Sequence, residues 1–312
     1  MTWPEPVGPA SVGATLAAAA PPAPARPRAA ATSAPRDARA RLGRRPLRRV
    51  PAVVMVGVLG LFILGPLAAL ALWAFAQSWF YPSALPSAWT LSWWGRVFAG
   101  PDNLLGPIGW SFLFAPTVTA VSALVCWPAA YAFARIDFPG KRFGMLSIFA
   151  INTFPKMGLY IAMASLFYAF GLMGSFVGVV IVQLLGTLVT MTWIPAAAFA
   201  SVPVSLEEAA RDAGASRWRV LRSVTLPLAR PGLLVAVILC FLSSLDEAQG
   251  TYLVGLPHFV TMPVEMYSLV SSYPGPATAV FSLVLAAPSL VLLLAVRRHI
   301  FSGALAEGYR LR

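Results

Sequence analysis

Acidic residues are scarce in this chain: 11 Asp and Glu stand against 23 Lys and Arg in 312 residues, and charged residues of both signs make up only 11%. Soluble globular domains carry roughly 25%. Too little charge is present to cover a water-facing surface. Cysteine and histidine occur twice each. Cys126 and Cys240 fall inside apolar stretches and His258 and His299 in separate connecting segments, so no four-ligand zinc site can close, and both thiols read as small apolar packers. Lysine is limited to Lys141, followed by Arg142, and Lys156, preceded by Pro155. Neither completes a GxxxxGK[ST] phosphate loop, so this chain does not itself hydrolyse nucleotide. GxSxG, HExxH and CxxCH are also missing, which leaves no catalytic residue to name.

What the chain has in excess is apolar length. Hydrophobic residues make up 58% and the mean hydropathy is +0.75, which marks an all-α polytopic membrane protein. Six stretches reach spanning length, at about 52–76, 108–134, 145–170, 176–199, 232–254 and 277–296, the fifth running into Asp246 and Glu247. With the N-terminus inside, 21 of the 23 basic residues fall in cytoplasmic segments, Arg96 alone lies outside and Lys156 within a span. This is the positive-inside rule, and it predicts a multi-pass plasma-membrane protein with a cytoplasmic N-terminus. The net charge of +12 therefore reports topology. Nucleic acid is excluded as a partner, because no soluble fold with aromatic platforms accompanies the charge.

Residues 1–50 hold nine Pro, fourteen Ala and nine Arg. They cannot bury a core and are expected to form a disordered cytoplasmic tail facing anionic membrane lipid. An Arg-rich, acid-poor terminus is also compatible with an organellar transit peptide, whereas no secretory signal is present. The expected organisation is a tail over 1–50, a transmembrane domain over 51–300 with a cytoplasmic loop at 200–231, and a cytoplasmic C-terminal tail over 301–312. Outside, residues 77–107 carry Trp79, Phe80, Tyr81, Trp89, Trp93 and Trp94, aromatics that anchor a bilayer interface or dock a soluble protein. A second outward loop, about 255–276, includes His258, Glu265, Tyr267 and Tyr273.

The segment 205–227, SLEEAARDAGASRWRVLRSVTLP, has the most specific pattern. Ser205 followed three residues later by Glu208 has the form of a capping box, which predicts a helix from Leu206. Leu206, Ala209, Ala210 and Ala213 share a narrow face whose small side chains permit close approach of a partner. Gly214 suits a left-handed helix end, and Ser216 can cap a second helix carrying Trp218, Leu221 and Leu228 until Pro227 and Pro231 break it. Eight residues span only about 12 Å, so the first helix needs a partner surface.

Glu208-Ala209-Ala210, Gly214, Val224, Leu226 and Pro227, with three, nine and one residues between, resemble the EAA signature of permease subunits of binding-protein-dependent ABC importers. YAFARIDFPGKRF from Tyr131, TLPLARPG from Thr225, FLSSLDE from Phe241 and TMPVEMYS from Thr261 resemble the spermidine/putrescine branch, whose relatives also move iron, thiamine, phosphonates and opines. The resemblance implies a six-helix type I ABC importer permease fold. It implies that Ser205, Glu208, Ala209, Ala210, Gly214, Leu226 and Pro227 couple this chain to separate ATPase subunits, which hydrolyse the ATP, so that the chain needs no cofactor. It further implies a second permease chain, as a heterodimer, and an extracytoplasmic solute-binding protein. The solute expected from the branch is a polyamine, an anion such as a phosphonate being the alternative.

Three charges fall within spans: Lys156, Asp246 and Glu247. Unpaired charges in a bilayer cost at least about 2.5–3.5 kcal/mol each, and Lys156 and Asp246 come to similar depths, about 16 and 21 Å, if the third and fifth spans are straight. Lys156 is therefore expected to brace one acid while the other lines the pathway. An ion-coupled secondary transporter would use such carboxylates too, but has no reason to carry the coupling signature. Deletion of residues 1–40 is expected to leave membrane insertion and solute uptake unchanged, because Arg41, Arg44, Arg45, Arg48 and Arg49 still hold the orientation. Insertion assays and uptake measured on the truncated chain check this, and loss of both would make the tail structural.

Overall fold

The structure, a computed structural model, describes residues 49–80, 82–99, 105–272 and 274–309. Nearly all of the expected N-terminal tail, Tyr81, Tyr273 and the last three residues lie outside them. The chain divides into two units, Met1–Leu59 and Gly60–Arg312. In the first, the described residues form the opening of helix α1 (Arg49–Ala74), where Val53 to Leu59 present exposed aliphatic side chains.

In the second unit α1 continues and is followed by a short antiparallel pair, β1 (Ala76–Ser78) and β2 (Ala88–Trp89), and by α2 (Ser92–Ala99). The expected aromatic loop is thus a folded cap. Phe75 stacks on Trp94 at 5.5 Å, the Trp94 indole N–H donates to the Ala74 carbonyl at 3.1 Å, and the Arg96 guanidinium lies 4.8 Å from the Trp93 ring centre.

Three long helices form the centre: α3 (Leu105–Arg135), α6 (Phe176–Ala200) and α9 (Leu226–Leu245). Ser175 caps α6 by accepting from the Gly178 N–H at 3.0 Å. A Cβ on Gly232 of α9 would lie 2.5 Å from the Ala198 Cβ of α6, so only glycine permits that approach. Cys126 and Cys240 are buried together with Met191 and Ala236, the packing role expected of them. Polar contacts also cross this layer, Ser122 Oγ to Thr187 Oγ1 at 2.7 Å between α3 and α6 among them.

Among the described residues five helices are long and apolar enough to cross a membrane, and up to six spans result if one bent pair counts as a single span. That pair corrects the third expected span. Residues 145–170 form no straight helix: α4 (Lys141–Ala150) with a 3-10 turn to Thr153, and α5 (Lys156–Ala169), meet at 101°. Phe154 precedes a proline and is held extended at φ −80°, ψ 144°, which stops the first helix. The fifth expected span is also corrected. α9 ends at Leu245 with Asp246 as its cap, and after Glu247 and Ala248 the chain turns into the short α10 (Gln249–Gly255). Much of the expected outward loop at 255–276 is helix α11 (Met262–Ser272), fastened to α3 by the Met262 N–H donating to Ser111 Oγ at 2.8 Å. The last helix, α12 (Gly275–Tyr309), runs without a break past residue 300, where a tail was expected to begin.

Candidate coupling surface and pathway cavity

The signature segment folds as a helix, a turn and a second helix, with corrections in detail. α7 (Val204–Asp212) starts two residues earlier than expected, with Pro203 as its N-cap at φ −61°, ψ 126° and no side-chain cap bond. Ser205 lies inside the first turn, so the capping box does not form. The other end is as expected. Gly214 has φ +86°, its N–H donates to the Arg211 carbonyl at 2.8 Å, and the Ala215 N–H donates to the Ala210 carbonyl at 3.0 Å, the paired bonds of a Schellman end. Ser216 accepts from the Arg219 N–H at 3.4 Å and caps α8 (Arg217–Val220). Pro227 and Pro231 do not break the chain. A π-helical segment, Leu221–Thr225, joins α8 to α9, and Pro227 sits in the first turn of α9, where no N–H is needed.

Leu206, Glu208, Ala209 and Trp218 are exposed, and Trp218 keeps 67% of its surface free. The neighbouring acid behaves oppositely. Glu207 is 2% exposed and collects every strong contact of α7. Its Oε1 accepts from Arg135 Nη2 at 3.0 Å, Arg135 Nε at 3.2 Å and Thr225 Oγ1 at 2.7 Å, while Arg211 approaches Oε2 at 3.9 Å. Arg135 Nη2 also donates to the Val202 carbonyl at 2.7 Å. One carboxylate thereby ties α7 to the end of α3 and to the π segment.

Lys156, Asp246 and Glu247 are brought together at one cavity of about 270 Å³, which also touches Tyr160, Ser243 and Tyr267. The expected brace does not form: among the described residues Lys156 makes no ion pair. The break at Pro155 makes Lys156 the first residue of α5, which removes the straight-helix depth on which pairing depended. Glu247 is committed elsewhere. It accepts from the N–H groups of Gly250 at 2.7 Å and Thr251 at 3.0 Å and from Thr251 Oγ1 at 2.6 Å, capping α10. Behind it, Ser244 Oγ donates to Gln183 Oε1 at 2.6 Å and Gln183 Nε2 donates to Thr251 Oγ1 at 2.9 Å. This satisfied chain of buried polar groups pins α10 against α6 and α9. A larger adjoining cavity, about 710 Å³, shares Gln249 and Tyr267 and adds Tyr252, Glu265, Ser268 and Ser271. The Tyr252 and Tyr267 rings meet at 6.1 Å.

The profile of the family described as "Binding-protein-dependent transport system inner membrane component" matches residues 47–302. The chain belongs to this family. Among its relatives, the trehalose transport system permease protein SugB of Mycobacterium tuberculosis is 28% identical over 70% of this chain and 81% of its own length. The galactooligosaccharides transport system permease protein GanQ of Bacillus subtilis is 25% identical over 85% and 96%. The maltose/maltodextrin transport system permease protein MalG of Salmonella typhimurium is 30% identical over 69% and 76%. Of solved structures, a bacterial ABC transporter involved in import of the acidic polysaccharide alginate aligns at TM-score 0.61 and 20% identity, over 81% of this chain and 96% of that one. The fold is that of a type I ABC importer permease. The resemblance to importer permeases holds at family level; its spermidine/putrescine branch finds no support in these relatives, whose names carry sugars.

For this permease the sequence pointed to Glu208 and missed Glu207, Arg135 and Thr225. Arg135 had been counted only as a topology charge. Gln183, the one amide in an otherwise apolar α6, was the available signal for the network behind Glu247. Glu207→Ala is expected to destabilise the chain by about 3–5 kcal/mol, since it leaves Arg135 half-enclosed without its partner. Glu208→Ala should stay within about 0.5 kcal/mol. Thermal unfolding of the two detergent-purified variants checks this, and equal stability would remove Glu207 from its structural place.

Proposed function

We propose that this permease is one of two membrane subunits of an ATP-driven importer for a neutral carbohydrate. The observation that carries the reading is the wall of the larger cavity, where the Tyr252 and Tyr267 rings stand beside Gln249, Ser268 and Ser271, with Glu265 as its one charged lining residue. Aromatic faces receive the apolar face of a sugar ring, and neutral donors and acceptors match its hydroxyls. The sugar names of the relatives support it. A polyamine would meet a single acid, Glu265, on the larger wall, because Glu247 is spent on capping α10 and Asp246 shares its cavity with Lys156.

In this reading the N-terminus is cytoplasmic, as the arginine distribution requires. ATPase subunits dock on the exposed face of α7 and α8, with Glu208 at the contact and Gly214 fixing the turn. They bind and hydrolyse the ATP, and this chain supplies no cofactor site. A second permease chain completes the pathway past Lys156 and Asp246, and an extracytoplasmic binding protein delivers the solute.

The test is uptake by the chain co-produced with its ATPase, second permease and binding protein, using maltose, trehalose and spermidine as probes. Disaccharide uptake is expected, and Tyr252→Ala with Tyr267→Ala should lower it roughly tenfold at unchanged yield. Spermidine uptake without disaccharide uptake would overturn the carbohydrate assignment. Separately, Glu208→Lys should leave the complex membrane-inserted while abolishing solute-stimulated ATP hydrolysis, since it reverses the charge at the docking face; stimulation at the wild-type level would remove Glu208 from the coupling contact.

A further inference from the structure

A groove of about 400 Å³ lies between α3 and α9, on a side of α9 that the pathway does not use. Its floor is apolar, formed by Trp127, Leu233, Leu234 and Val237, and Arg222 and Arg230 stand at the end nearer the coupling segment. Both arginines are exposed, and among the described residues neither makes a hydrogen bond or an ion pair. The groove has no acidic lining residue. The indole N–H of Trp127 is buried and has no hydrogen-bond partner, although such a group normally finds one.

The π segment explains why two arginines eight residues apart converge. In a regular α-helix they would point about 80° apart, at about 100° per residue. The wider π turn advances less per residue, which brings Arg222 back toward the face of Arg230. On the same count Ser243 and Asp246, which line the small cavity, lie more than about 100° around α9 from Leu234 and Val237. The groove therefore does not open onto the solute pathway.

We propose that this groove is a binding site for an anionic phospholipid of the cytoplasmic leaflet, its phosphate held between Arg222 and Arg230 and an acyl chain lying over Trp127 and Leu234. Basic pockets between transmembrane helices on the cytoplasmic side suit such headgroups. From Arg230 to Val237 the floor runs about 10 Å along the helix toward the bilayer interior. A free phosphate would leave that floor unused, and a soluble protein cannot follow it into hydrocarbon. The guanidinium forks match phosphate oxygens. Leu226 and Pro227 of the signature line the site, so an occupied groove braces the end of the π segment on a face about 100° around from Thr225, which holds Glu207. The proposal rests on the cytoplasmic placement of this end of the permease, but binding is read without transport, so the two stand or fall separately.

The full-length chain in phosphatidylcholine nanodiscs is titrated with brominated phosphatidylglycerol while tryptophan fluorescence is recorded. Ten tryptophans contribute, so the groove signal is the difference between wild type and Trp127→Phe. We expect saturable quenching that Trp127→Phe loses, that Arg222→Gln with Arg230→Gln weakens roughly tenfold or more, and that Arg142→Gln, an exposed arginine away from the groove, leaves unchanged. Arg230→Gln alone should give about a threefold shift, which keeps the test open if the double variant is poorly produced. Equal quenching by brominated phosphatidylcholine, or an equal loss in Arg142→Gln, would overturn the site as surface charge. Displacement by glycerol phosphate would make it a free-anion site, and loss of the signal on adding the ATPase subunits would make it a protein-docking surface. Either result also overturns the proposal.

Discussion

The carboxylate of Glu207 is the point on which the signal-bearing end of this protein depends. Burying a charge is costly unless it is paired and its hydrogen bonds are filled. Glu207 meets both conditions through Arg135, Thr225 and Arg211, residues drawn from three separate stretches of chain. A nine-residue helix is too short to persist alone, so α7 keeps its place through this one anchor and through the Schellman turn at Gly214. The helix is thereby fixed on its inner side and left open on its outer one, where Leu206, Glu208 and Ala209 are exposed.

The second half of the permease obeys the same constraint by different means. Glu247 lies where the apolar α9 ends, and its charge is absorbed by two backbone N–H groups and a hydroxyl. Gln183 and Ser244 carry the polar chain back into the helix layer. Lys156 is handled by geometry: the chain breaks before it, so the ammonium stands at the rim of a cavity and not in the middle of a straight span. Both exceptions to an apolar interior therefore coincide with places where a helix stops.

Much of this was legible in the sequence, and the rest was not for identifiable reasons. Apolar runs and arginine bias are local quantities, and they located the spans. The left-handed Gly214 and the Ser216 cap are also local, whereas the meeting of Lys156 with Asp246 and Glu247 at one cavity is not, since the straight third span from which their depths were reckoned is bent. The choice between Glu207 and Glu208 is not local, because it is made by Arg135, 72 positions earlier in the chain. The 101° bend was hidden because Pro155 interrupts a run whose composition still reads as one span. The capping box failed since Pro203 already fixed where α7 begins. The solute lay beyond the signature, whose residues form a cytoplasmic-loop pattern and line neither the cavity at Lys156 nor the one at Tyr252.

The contact of Gly232 with Ala198 has a mechanical consequence. Two helices with only the Ala198 methyl group between their backbones at this point have little room to approach further. Since α7 follows α6 and precedes α9 in the chain, the two long helices that flank it are held close together at that contact. The far ends of the same two helices carry Gln183 and Ser244, whose hydrogen bonds reach α10, so one closely packed pair joins the surroundings of α7 to those of Glu247.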